Sequence, residues 1–436
     1  MREKQDPIGF AVSVLNKLAQ TTALDRFGLR RPTERVVFEA TRSGFRTLGA
    51  VNRQFSRRGQ ATGTPTRLPA AAHTGKFDLT PTEDEQMLVD VVREYAAEVV
   101  RPVAAESDAV ASAPESVLKS SLEIGLPILG VPEELGGIST ERSAMAATLV
   151  AEALAHGDMG LAVATLAPGA VSTALSLWGT EEQQATYHPA FTGDDVPAAA
   201  LALTEPRPLF DAFAPETTAV PDGDGFVLNG VKSMVPRGAD AELFVIGAML
   251  DGSPRMFLVE SNTPGLEIEA EPSMGLRAAS LSRLVLDDVR VGDLSLLGSV
   301  EDHADCVRLS RLAWCALSVG TAQAVLDYVT PYVNEREAFG EPISHRQSVA
   351  FMVANIGIEL NGMRLVTYRA ASRAGQGKTF AREVALARRL CTERGMQIGN
   401  DGVQLLGGHG FVKEHPVERW YRDLRAIGLL EGGILV

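Results

Sequence analysis

Gln404-Leu405-Leu406-Gly407-Gly408-His409-Gly410-Phe411-Val412-Lys413-Glu414-His415-Pro416-Val417-Glu418-Arg419-Trp420-Tyr421-Arg422-Asp423, with Glu431-Gly432 following, is the stretch on which the reading of this chain turns. A lone carboxylate in such a position reads first as a surface group. A carboxylate at a fixed remove from a Gly-Gly-x-Gly turn and an Arg-Asp pair is far less common. Glycines in such a turn either let another backbone or a ligand come close or simply end a helix.

Upstream of this stretch the apolar residues repeat at helical spacing from about residue 302 to Leu406. Before that lies a different texture. Asp222-Gly223-Asp224-Gly225 is a turn signal, and Phe226-Val227-Leu228, Leu243-Phe244-Val245-Ile246, Met256-Phe257-Leu258-Val259 and Leu284-Val285-Leu286 read as strands. Residues 77–198 are again helical, opened by Thr80-Pro81-Thr82-Glu83, which reads as a capping box with Pro at the first helical position. Helices, then a small β region, then helices predict an α+β fold rather than alternating βαβ units. The expected domains are 77–198, 199–300 and 301–436, preceded by an extension and linker over 1–76. No Gly-x-Gly-x-x-Gly follows a strand, which argues against a Rossmann-bound nicotinamide.

Composition narrows the function classes. The chain has 436 residues, 45% of them hydrophobic, and a formal net charge of -14, which argues against nucleic-acid binding. Three scattered cysteines, Cys306, Cys315 and Cys391, fit a reducing compartment and exclude a disulfide framework or a cysteine zinc site. With no unbroken run of 18 apolar residues and no secretory leader, no membrane span is expected, and the expected location is cytoplasmic. Charge is uneven. Residues 1–58 hold 12 Lys or Arg against five Asp or Glu, a net of +7, so the remainder carries -21. This arm reads either as a helical piece packed on its own acidic body or as a contact to a membrane surface or partner.

The motifs, taken in order, resemble the acyl-CoA dehydrogenase family over residues 78–432. Ile124-Gly125-Leu126, Pro132-Glu133-Glu134-Leu135-Gly136-Gly137 and Gly179-Thr180-Glu181-Glu182-Gln183 lie in the first helical part. Leu203-Thr204-Glu205-Pro206, Leu228-Asn229-Gly230-Val231-Lys232, Met274-Gly275-Leu276-Arg277 and Asp288-Val289-Arg290-Val291 lie in the β part, and Arg336-Glu337-Ala338-Phe339-Gly340 with Gln347 in the last. The resemblance implies an N-terminal helical domain, a middle β-barrel-like domain and a C-terminal four-helix bundle. It also implies FAD held between subunits of a homo- or hetero-oligomer, usually a tetramer, an acyl-CoA substrate, and an electron-transferring flavoprotein as acceptor. The implied reaction is α,β-dehydrogenation to a trans-2-enoyl-CoA, as in fatty-acid β-oxidation. Glu431 would take the α-proton, and hydride would pass to flavin N5. Thr204, Arg336, Phe339, Gln347, Gln404, Gly407 and Gly408 match FAD-contacting positions, and Arg311 matches an Arg at the substrate end. Each has a plainer reading as well: Phe339 as core, Arg336 and Arg311 as helix-surface charges, the glycines as a helix end.

The chain departs from the family pattern where the flavin ring should be gripped. The usual Gly-Ala-Gly-Ser-Asp after Thr204-Glu205-Pro206 is Arg207-Pro208-Leu209-Phe210-Asp211 here, and the usual Trp-Ile-Thr is Met234-Val235-Pro236. Pro236 has neither hydroxyl nor N–H. The usual Thr after Gly432 is Gly433. Three functions fit the sequence: a working FAD-dependent acyl-CoA dehydrogenase, a half-site subunit paired with another family member, and a flavin-free scaffold.

Overall fold

The computed structural model describes residues 79–139, 143–193 and 195–432. The arm over 1–58, the linker and Gly433 lie outside the described residues.

The first helical region comprises α1 (Glu83–Tyr95), α2 (Arg101–Val110), α3 (Glu115–Glu123), α4 (Ala144–Gly157), α5 (Met159–Trp178) and α6 (Glu181–Phe191). The capping box that starts α1 is two residues later than the sequence suggested. Thr82 Oγ1 accepts from Glu85 N at 3.2 Å, and Glu85 accepts from Thr82 N at 2.9 Å. Thr80 and Glu83 stand at the same spacing, but the reciprocal pair that forms is Thr82 with Glu85, so Pro81 precedes the cap instead of occupying the first turn. α6 uses the same device with Thr180 and Gln183.

The middle region is one mixed sheet of β1 (Ala199–Ala202), β2 (Thr218–Asp222), β3 (Gly225–Val235), β4 (Leu243–Leu250), β5 (Ser253–Glu260), β6 (Leu266–Ala270), β7 (Ser282–Gly292) and β8 (Leu296–Leu297). Its order is β6-β7-β3-β2-β4-β5-β8, with β1 parallel to β4. β4 is buried almost throughout because it faces apolar groups on both sides. Leu243 and Val245 join Leu175, Trp178 and Phe191 of the helices, while Phe244 and Ile246 join Phe257, Leu284 and Leu286 within the sheet layer. Side chains that alternate by two therefore all find cover, each worth about 1.5–3 kcal/mol.

The last region holds α7 (Val300–Glu335), a short hairpin of β9 (Glu337–Ala338) and β10 (Glu341–Pro342), α8 (Gln347–Gly375), α9 (Ala381–Leu406) and α10 (Val417–Leu424). α7 is the central strut. Ser299 and Asp302 cap it reciprocally, and its apolar residues share one core with α4, α5, α8, α9 and α10. By length and composition α5, α7 and α8 are apolar enough to cross a membrane, contrary to what the unbroken-run criterion suggested. In α5 and α7 that surface is mostly buried within the fold, whereas α8 leaves Phe351, Ile358 and Leu365 more than half exposed.

Candidate active site

The Arg-Asp pair of the opening stretch knits the three regions together. Arg422 reaches both oxygens of Asp108 on α2 at 2.9 and 2.8 Å, Glu418 at 2.8 and 3.1 Å, and the Met274 carbonyl at 2.8 Å. Asp423 accepts from Leu276 N at 2.7 Å. A Cβ at Gly275 would stand 2.5 Å from the Arg422 carbonyl, so the Met274-Gly275-Leu276 motif needs its glycine for this close approach. Arg419 pairs with buried Asp158 at 2.9 Å. The chain between Asp423 and Glu431 therefore leaves a fixed point.

Glu431 ends that segment buried, 7% exposed, with φ of +50°. A left-handed φ at a non-glycine residue costs of order 1–3 kcal/mol and needs support from its surroundings. Several donors and acceptors supply it. Glu431 N donates to Thr204 Oγ1 at 3.0 Å, and Arg311 Nε and Nη2 donate to the Glu431 carbonyl at 3.0 and 2.7 Å. Arg388 on α9 donates to the Leu430 carbonyl at 2.6 Å and to that of Gly432. Burial pushes the Glu431 carboxyl above its ordinary value. Arg388 opposes this most, followed by Ser310, Arg311 and Trp314, with Ser310 and Trp314 set against the carboxyl as donors. Burial likewise pulls the Arg311 guanidinium down to about 10, and Arg388 adds like-charge repulsion.

Thr204 is placed by a buried ion pair. Lys232 Nζ reaches Glu205 Oε1 at 2.8 Å, and Glu205 also accepts from Glu216 N, Thr217 N and Thr217 Oγ1. Ser233 N donates to the Thr204 carbonyl at 2.9 Å. The two motifs Leu203-Thr204-Glu205-Pro206 and Leu228-Asn229-Gly230-Val231-Lys232 are thus halves of one support. Gly230 belongs to it too, since a Cβ there would lie 2.6 Å from Thr217 Oγ1.

Glu431, Thr204 and Arg311 come together; the other expected site residues form a second group. Tyr332 near the C-terminal end of α7 pairs with His409 at 2.9 Å, which brings the Gln404–Gly408 turn beside the end of that helix, close in sequence to Arg336 and Phe339. Arg336, Phe339, Gln347, Gln404, Gly407 and Gly408 are all exposed, Phe339 at 94%. Twenty-five helical steps separate Arg311 from Arg336, about 38 Å at 1.5 Å per residue. Phe339 is therefore not core, and Arg311 is not a surface charge: its Nε and Nη2 are spent on the Glu431 carbonyl.

The fit to FAD can be tested on these residues. A Cβ at Gly408 would meet nothing within 4 Å, so packing inside the chain does not require that glycine, and close approach by an outside group gives it a reason. Arg336 offers a fork suited to phosphate. Thr204 accepts from Glu431 N and keeps its own proton to donate. At the ring segment the contacts differ. Phe210 is buried among Leu175, Leu203 and Val307, and its carbonyl would lie 2.8 Å from a Cβ on Gly432. Ser233 Oγ and Met234 N bind Glu271 at 2.9 and 2.7 Å. The residues suit FAD at the exposed turn and at Thr204, with no donor from Pro236.

Ser310, Trp314 and Arg388 were not among the expected site residues. Arg388 carried one signal: it lies on the apolar face of α9 with Val384, Ala387 and Cys391, where a charge needs a reason.

Family models match all three regions: the acyl-CoA dehydrogenase N-terminal domain over residues 82–194, the middle domain over 200–289 and the C-terminal domain over 304–434. The short-chain specific acyl-CoA dehydrogenase of Bos taurus mitochondria is 33% identical over 83% of this chain and 89% of its own length. The 3-(aryl)acrylate reductase of Clostridium sporogenes is 30% identical, over 80% of this chain and 95% of its own. The solved butyryl-CoA dehydrogenase of Megasphaera elsdenii superposes with a TM-score of 0.76 at 26% identity, covering 82% of this chain and 97% of that one. The domain order, the buried Glu431 and these matches lead to one conclusion: the chain belongs to the acyl-CoA dehydrogenase family of FAD-dependent oxidoreductases.

Proposed function

We propose that this chain dehydrogenates an acyl-CoA thioester between Cα and Cβ, with Glu431 as the α-proton base. The observation that carries the reading is a carboxyl buried and pushed above its ordinary range, on a turn held by Thr204, Arg311 and Arg388. A thioester α-proton is weakly acidic, so a rigidly placed base in a water-poor site is what the step needs. Bound FAD would supply the hydride acceptor. Thr204 holds the base turn and would donate its remaining hydroxyl proton to a bound flavin, and Arg336, Phe339, Gln347, Gln404, Gly407 and Gly408 would hold the FAD of a neighbouring subunit. Relatives named short-chain and butyryl-CoA dehydrogenases support a small acyl group, as does the bulk of Trp314 beside the base. Electron-transferring flavoprotein is proposed as acceptor on the family resemblance, and a cytoplasmic location on the three free, buried cysteines.

A half-site subunit is the second reading, favoured by Pro236 and by buried Phe210. Anaerobic titration of the purified, FAD-supplemented protein with acyl-CoAs of increasing length separates the two. Bleaching of the flavin absorbance together with enoyl-CoA product supports the dehydrogenase. A protein that takes up no FAD and turns over nothing sinks that reading and directs attention to a partner subunit.

A further inference from the structure

Arg388 is 3% exposed, and one of its nitrogens spans the base residue by donating to the carbonyls on either side of it. Its Nε and Nη1 are buried with no hydrogen-bond partner among the described residues, and Glu431 Oε2 is in the same condition. Unmet buried donors on a charged group are costly, as is an unmet carboxylate oxygen. Here they belong to Glu431 and to the arginine that holds the carbonyls of its two chain neighbours, Leu430 and Gly432. With Arg311 donating to the Glu431 carbonyl, three successive carbonyls, 430 to 432, converge on two guanidinium groups. Without them the left-handed turn would present its carbonyls to an apolar interior.

We propose that Arg388 is a positioning residue for the base: it fixes the turn at Glu431 through both flanking carbonyls and supplies the counter-charge that keeps the carboxylate available as proton acceptor. This inference rests on the reading of Glu431 as base. The other groups at the site take a smaller share of that part, Arg388 being the largest opposing charge and Arg311 a lesser one. Arg311 has Nε and Nη2 committed to the Glu431 carbonyl and draws on Asp211 across the loop. Ser310 and Trp314 from α7 are neutral donors. Cys306 and Cys315, also from α7, are held as thiols, Cys306 chiefly by burial and Cys315 by its hydrogen bond with Cys391 of α9 together with burial. An ammonium in place of Arg388 would keep the charge but not the planar fork.

The test compares wild type, Glu431→Gln, Arg388→Gln and the double variant as full-length FAD-supplemented protein. Melting temperature is read from about pH 5 to about pH 9, a range that spans a raised carboxyl. Toward the alkaline end, Glu431→Gln should stabilise the Arg388→Gln background more than it stabilises wild type, with the difference closing as pH falls. Additivity at every pH overturns the counter-charge role, and this readout needs no turnover. In kinetics, Arg388→Gln should move the acid limb of kcat/KM to higher pH and lower its plateau by about 10²-fold. Arg388→Lys should restore the limb but not the plateau. A wild-type plateau in Arg388→Lys overturns the two-carbonyl clamp, and this variant carries the test if Arg388→Gln does not fold. Activity retained in Glu431→Gln would remove the base itself, which is a separate failure from an unmoved limb in Arg388→Gln.

Discussion

Burial drives the Glu431 carboxyl toward its neutral form, while proton abstraction needs it charged. A carboxyl whose folded pKa is raised favours the folded state below its unfolded value and loses that contribution as pH rises. Glutamine mimics the neutral form. Glu431→Gln should therefore leave stability nearly unchanged at about pH 4 and become progressively more stabilising as pH rises through the raised range. kcat/KM should fall roughly 10³-fold, with flavin absorbance retained. Thermal melts across pH, visible spectra and product formation check the three parts, and undiminished dehydrogenation would remove the base role. For the wild type, the acid limb of kcat/KM should lie above the ordinary glutamate range. Glu431 was legible in the sequence because Arg422-Asp423 lies at a fixed remove from it. Arg388, Ser310 and Trp314 were not, because they reach it from α7 and α9 across gaps that no local pattern spans.

Among the elements, the support beneath Thr204 is the most exposed to a single change. Lys232 is fully buried, and burial pulls its ammonium down to about 8 while Glu205 raises it. Lys232→Met would leave the Glu205 carboxylate buried with its cation gone, a loss of about 3–5 kcal/mol. A clear fall in melting temperature is expected, along with weaker FAD retention, since β3 carries the Ser233 N–H that holds Thr204. A variant that melts like wild type would show that the backbone and hydroxyl donors from residues 216 and 217 suffice for Glu205. The strands and long helices of this region were readable from periodicity, because β4 and α7 bury apolar residues at their own repeat. The tasks of the short motifs were not. Gly179-Thr180-Glu181-Glu182-Gln183 looked like a family mark. In the fold, Thr180 caps α6 and Gln183 donates to the carbonyls of Leu294 and Leu296, tying helix to sheet. A sequence shows that such residues recur in order, but not which distant carbonyl each one meets.

At the scale of the whole molecule, the separation along α7 bears most on assembly. Arg311 on α7 and Arg336 at its C-terminal cap lie about 38 Å apart, so the exposed group around Phe339 and the Gln404–Gly408 turn would serve the flavin of another copy or of a related chain. α8 adds a surface for such a neighbour. Phe351, Ile358 and Leu365 recur every seven residues and remain 58%, 67% and 58% exposed, an apolar stripe of the kind that marks protein contacts. If copies pack there, Ile358→Glu should shift the protein toward monomer in sedimentation and lower FAD content with it, although residue 358 lies far along the chain from Glu431. Loss of assembly with flavin fully retained would mean that each chain holds its own FAD and that Arg336 and Phe339 have another task. Deleting residues 1–58 separates the remaining question. The net charge of +7 on that segment should make full-length protein bind anionic vesicles more than neutral ones, and less so as salt rises. The truncated protein should keep its FAD and lose that binding. Flavin lost on truncation would instead place the arm within the catalytic assembly, and equal vesicle binding by both forms would exclude it as the membrane contact.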